Sequence, residues 1–197
     1  MQIVSIAELA RSITPLPSFL ATRGAGKRFW ELMQSRLSAS DPREAITLTF
    51  NGIEVMDASF ADEVFGTLAS QHGRREGQFY PVLLSDLNET CLDNLRMALE
   101  TRPDREPPDR ERLRNCVLPV IENGDIKLIG KFEDHVAETF RQLQESRTLT
   151  ARDLAAAMGL NLNAASTRLK TLADLGLALR SEVRDTQGKQ FVYRCLE

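Results

Sequence analysis

A chain of 197 residues holds one ordinary domain or two small ones, and 42% hydrophobic with 27% charged residues is the mix of a soluble globular protein that can bury a sizeable core. No apolar run approaches the roughly 18 residues of a membrane span, and MQIVSIAELARS lacks the basic stretch and apolar core of a signal peptide, so a cytoplasmic protein with no membrane partner is expected. The net charge of −3 divides unevenly: residues 1–146 carry 17 Lys and Arg against 23 Asp and Glu, and residues 147–197 carry 8 against 5, a modestly basic end suited to phosphate contacts.

In chain order, QIVSIAEL reads as a strand, and GAGKRFWELMQSRLSAS as a helix with Phe29, Leu32, Met33 and Leu37 at helical spacing. AITLTFNGIEV, rich in β-branched residues, reads as the next strand. SFADEVFGTLASQHG resumes the helical period through Ala61, Val64, Phe65, Leu68 and Ala69. FYPVLLSDL is a short apolar strand, and NETCLDNLRMALETR a helix whose Cys91, Leu92, Leu95, Ala98 and Leu99 form a covering face. Strands alternating with helices predict the α/β class, a mixed or parallel sheet covered by helices. TRPDREPPDRERLR, residues 101–114, has three prolines, nine charges and Leu113 as its only large apolar side chain, and reads as an exposed loop or linker. CVLPVIENGDIKLIG is a hairpin turning at Asn123 and Gly124, which closes a first domain at 1–130.

The second domain, 131–197, starts with the helix FEDHVAETFRQLQES. Thr150 caps a helix with Leu154, Ala155 and Met158 inward; Gly159 ends it, and Asn161 caps the next. On that next helix Ala165, Leu169, Leu172 and Ala173 share the inner face, which turns Asn163, Ser166, Thr167 and Lys170 outward with Arg168 at the flank. Short polar groups with a cation suit a helix in the major groove of double-stranded DNA. LALRSEV and KQFVYRCL then form a second hairpin, with Arg184 and Lys189 near its tip.

This order of helices and hairpin resembles the winged helix-turn-helix domains of bacterial transcription regulators, through LAAAMGLNLNAASTRLKTLADLGLALR in particular. The resemblance implies that the second helix of the motif reads bases and the hairpin holds the backbone. With only Arg168 and Lys170 as cations on that helix, a homodimer is expected to be needed.

TFNGIEVMDASFADEVFGTL resembles the STAS domains of anti-sigma factor antagonists, in which a serine at a helix start is phosphorylated by a partner kinase; Ser59 matches that position. It is closer to STAS-like domains of unknown function carrying an upstream Arg-Gly element and a Ser-Phe-Ala-Asp-Glu run, here FLATRGAGKR with Arg23 and SFADE from Ser59 to Glu63, over residues 17–102. The resemblance implies a regulatory setting with a protein partner. Phe60 stands where the antagonists have glycine, and Asp57, Asp62 and Glu63 would repel a phosphate, so the residues describe a helix cap, in which Ser59 and Asp62 approximate a capping box, better than a phosphorylation switch. GAGKR departs from a phosphate-binding loop at Ala21 and Arg28; Arg23, Lys27 and Arg28 stay candidates for meeting a small anion.

Cys91, Cys116 and Cys195, odd in number and in no ligand spacing, predict buried free thiols and no metal site. His72 and His135 lie in an apparent helix end and a polar helix face, away from any nucleophile, and surface or capping roles are expected for both. The sequence thus predicts a regulator without catalysis or cofactor, its STAS-like domain sensing or docking and its second domain binding DNA. The rival is an adaptor of the partner-switching type that never touches DNA.

Overall fold

A computed structural model describes residues 2–41, 43–72, 81–105, 114–185 and 188–196. Strand β1 (Gln2–Ser5) gives way to helix α1 (Ile6–Ala10), so the expected strand QIVSIAEL is half helix. The reason is local: the Ser5 side chain accepts from the Glu8 amide at 3.3 Å and starts a helix that buries Ile6 and Ala10. Strand β2 (Phe19–Leu20) precedes helix α2 (Arg23–Ser38). The run AITLTFNGIEV is not one strand. It divides into β3 (Ile46–Thr49) and β4 (Val55–Met56), because the chain reverses through Gly52 at φ +85°, a left-handed conformation that interrupts a ladder.

The next helical segment has three parts: α3 (Ala58–Ala61), a π-helical turn (Asp62–Gly66) and α4 (Thr67–His72). Strand β5 (Val82–Ser85), helix α5 (Glu89–Thr101) and a 3-10 turn (Arg102–Arg105) follow. Of the expected linker 101–114, residues 106–113 lie outside the described residues. Its first part is an ordered extension of α5. Strands β6 (Cys116–Glu122) and β7 (Asp125–Lys131) form the expected hairpin, with Asn123 at φ +54° and Gly124 at φ +86°.

The main sheet has the order β1-β3-β5-β6-β7, parallel except for β7. Alternate residues face opposite ways. Ile46, Leu48, Val82, Leu84, Leu118, Val120 and Ile129 enter a core with Phe29, Met33, Phe60, Phe65, Leu95 and Leu99 from the covering helices. On the other face Val117 belongs to a second core, with Ile126 and Leu128 packed against it. The β6–β7 hairpin therefore serves both cores, and packing does not cut cleanly at residue 130.

The rest of the second core comes from α6 (Asp134–Ser146), β8 (Thr148–Thr150), α7 (Ala151–Met158), α8 (Leu162–Asp174) and the hairpin β9 (Leu179–Asp185) and β10 (Gly188–Arg194). Strand order is β8-β10-β9, antiparallel throughout; β8 was not legible in the sequence. The three cysteines are free and buried, as expected. Among the described residues no helix is long and apolar enough to cross a membrane.

Candidate functional site

The Arg-Gly element and the Ser-Phe-Ala-Asp-Glu run meet in space. Asp57, not Ser59, caps α3: its Oδ1 accepts from the Phe60 amide at 2.7 Å, and its Oδ2 from the Thr22 amide at 2.9 Å. The capping reading of Ser59 is therefore corrected. Ser59 is the second residue of the helix, and it is exposed.

Asp62, at the first position of the π-helical turn, is 4% exposed. Its carboxylate lies between two guanidinium groups, Arg23 Nη2 at 2.8 Å and Arg102 Nη1 at 2.9 Å. Arg23 also donates to Glu63 Oε2 at 2.9 Å. Arg102 further donates from Nη1 to the Asp62 carbonyl at 2.7 Å, from Nε to Ser70 Oγ at 2.7 Å and from Nη2 to Thr67 Oγ1 at 3.2 Å. Burial pushes the Asp62 carboxyl up, but the hydrogen bonds and charges of Arg23 and Arg102 prevail and hold it below its ordinary value. The hydrogen bond to Asp62 raises the pKa of Arg23 in return.

Gly66 makes the close approach of Arg102 feasible. A Cβ there would stand 2.9 Å from both Cδ and Nη1 of Arg102. Single π turns recur at functional sites, and this one aligns Asp62, Gly66 and Ser70 along the guanidinium. In the sequence Arg102 lies within the charged run 101–114, expected to be an exposed loop or linker. Only its partner 40 residues away explains it.

Arg23, one of the three candidates for meeting a small anion, is engaged by two carboxylates. Lys27 and Arg28 are exposed on α2. The acids around Ser59 are equally committed: Asp57 to amides, Asp62 and Glu63 to arginines. No metal-binding group of three or more His, Cys, Asp or Glu occurs among the described residues. His72 departs from expectation: it is 2% exposed, and burial depresses its pKa to about 4.

In the second half of the chain, local chemistry was legible. Thr150 and Asp153 form a reciprocal capping box, Gly159 ends α7 at φ +64°, and Asn161 Oδ1 caps α8 by accepting from the Ala164 amide at 2.8 Å. Ala165, Leu169 and Leu172 are buried; Asn163, Ser166, Thr167 and Lys170 are exposed on the opposite side. Arg168 lies at the flank and reaches Glu138 Oε2 of α6 at 3.1 Å.

Each of the four cations expected to meet DNA, Arg168, Lys170, Arg184 and Lys189, has a carboxylate neighbour. Lys170 Nζ stands 2.6 Å from Asp174, Lys189 Nζ 2.7 Å from Glu182, and Arg184 Nε 3.6 Å from the same Glu182. Exposed pairs of this kind are worth about 0–1 kcal/mol, so a competing phosphate can displace them. Residues 186–187 at the hairpin tip lie outside the described residues. Sequence reading missed Arg180, whose guanidinium carbon lies 3.6 Å from the centroid of the Phe191 ring.

Residues 25–78 match the family model described as a STAS-like domain of unknown function (DUF4325). The match runs from α2 through α4 and includes Ser59, Asp62 and Gly66. A mixed sheet with covering helices agrees with that class of domain. Comparison with curated proteins gives no match.

Proposed function

We propose that this protein is a DNA-binding transcriptional regulator without catalytic activity, in which a STAS-like domain senses or docks a signal and a winged helix-turn-helix domain binds double-stranded DNA as part of a homodimer. One observation carries the reading: Asn163, Ser166, Thr167 and Lys170 form an exposed polar stripe on a helix whose opposite face, Ala165, Leu169 and Leu172, is fixed in the core. A rigid helix of 13 residues with short donors and acceptors toward its N-terminal half matches what base edges in a major groove require. The hairpin β9–β10 adds Arg184 and Lys189 for backbone phosphates. Ser59, exposed at a helix start, is the position a partner kinase would modify.

A second reading draws on the carboxylates. Because Arg168, Lys170, Arg184 and Lys189 all have acidic neighbours, the surface also suits a partner-switching adaptor that binds protein through both domains. A shift assay with the protein's upstream DNA, run at 50 and 200 mM salt, separates the two. Specific binding that weakens steeply with salt supports the regulator; no binding at low salt supports the adaptor.

A further inference from the structure

On the face of the sheet opposite the first core, an open crevice of about 510 Å³ lies between the sheet, the C-terminal half of α6 and the end of the chain. This is within the size range of small-molecule sites, and junctions between packed units are where such sites concentrate. Its apolar lining comes from Leu83 of β5, Ile121 and Ile126 of the β6–β7 hairpin, and Leu196. Two hydrogen bonds hold the walls together: Gln144 Nε2 to the Ile126 carbonyl at 2.7 Å, and the Cys195 amide to the Arg147 carbonyl at 3.0 Å.

The charges of the crevice are the telling feature. Arg141 and Glu145 line it one helical turn apart on α6, and Asp125 faces it from the hairpin. Among the described residues none of these three enters an ion pair or a side-chain hydrogen bond. An Arg placed four residues before a Glu is the weaker order for pairing along a helix, so both groups stay available to a ligand. With Arg147, which lines the same crevice, two cations and two anions stand beside an apolar floor, and they complement a molecule that carries both charges on one small apolar body.

We propose that this crevice binds a free amino acid with a large apolar side chain. Arg141 takes the carboxylate, Glu145 and Asp125 take the ammonium, and the side chain covers Leu83, Ile121 and Ile126. Such a ligand touches elements of both cores and would be read by both. The proposal does not rest on DNA binding.

Isothermal titration calorimetry of the full chain tests it directly, with L-leucine and L-phenylalanine as probes. Glycine lacks the apolar body, 4-methylpentanoate lacks the ammonium, and 3-methylbutylamine lacks the carboxylate. Saturable binding of leucine or phenylalanine is expected, weakened about tenfold or more for each truncated probe and for Arg141→Gln and Glu145→Gln, since each loses a charge-assisted hydrogen bond. Both variants alter exposed residues, and unchanged thermal melts will establish that they fold. The proposal is overturned by absence of saturable binding, by 4-methylpentanoate binding as tightly as leucine, or by binding indifferent to both substitutions.

Discussion

Replacing Asp62 by Asn keeps the side-chain shape and removes the charge that two arginines face. Removing one partner of a buried pair costs about 3–5 kcal/mol when the other is left with nothing. Here the cost is smaller. Arg102 keeps its bonds to Ser70, Thr67 and the Asp62 carbonyl, and Arg23 is half exposed and keeps Glu63. The expected loss is about 2–3 kcal/mol, or about 5–10 °C in melting temperature for a chain of this size. Urea and thermal unfolding followed by circular dichroism measure it. Glu63→Gln, which removes only the outer pair, should cost under about 1 kcal/mol. The sign of the pH effect follows from the depressed Asp62 carboxyl. Its contribution is present above the unfolded value near 4 and disappears as pH falls through the lower folded value, so acidification should erode the difference between parent and Asp62→Asn. A variant within about 0.5 kcal/mol of the parent, or Glu63→Gln costing as much as Asp62→Asn, would refute the ranking of inner over outer pair.

Gly66→Ala should destabilise by about 1–3 kcal/mol, because its Cβ displaces Arg102, whereas Gly24→Ala, with nothing within 4 Å of the added atom, should be neutral or stabilising; unfolding midpoints compare the two. His72 should titrate near 4 by nuclear magnetic resonance. Since the unfolded state takes up that proton near 6.5, stability should fall by up to about 1.4 kcal/mol per unit as pH drops from 6.5 towards 4, and a measured pKa near 6.5 would contradict its burial. The Thr47 hydroxyl is buried without a hydrogen-bond partner among the described residues, so Thr47→Val should raise stability by about 1 kcal/mol in urea unfolding.

What the sequence revealed was local. Thr150, Gly159, Asn161 and the Asn123–Gly124 turn act through neighbours within a few residues, and each behaves as its chemistry dictates. The periodic face of α8 was equally readable, because burial of Ala165, Leu169 and Leu172 fixes the direction of the exposed stripe. Misreadings came where two local signals compete. Ser5 could end a strand or cap a helix, and Asp57 lies two residues before the serine that drew attention. The polar centre was beyond sequence reading altogether: Arg23 and Arg102 reach Asp62 across 39 and 40 positions, and nothing in a charge-rich run marks one arginine as the partner of a buried carboxylate. The strands β2 and β8, two and three residues long, owe their existence to partners far along the chain.

Base reading by α8 is tested most directly by fluorescence anisotropy of the parent and the double variant Thr167→Ala, Lys170→Ala, using a DNA fragment selected from a random pool by the parent protein and a scrambled control of equal length. Each lost base contact removes about 1–3 kcal/mol of discrimination, so the variant should bind the selected fragment about tenfold or more weakly and approach its affinity for the control, while its melting temperature stays that of the parent. Unchanged affinity and selectivity in the variant would contradict the assignment of α8 as the reading helix.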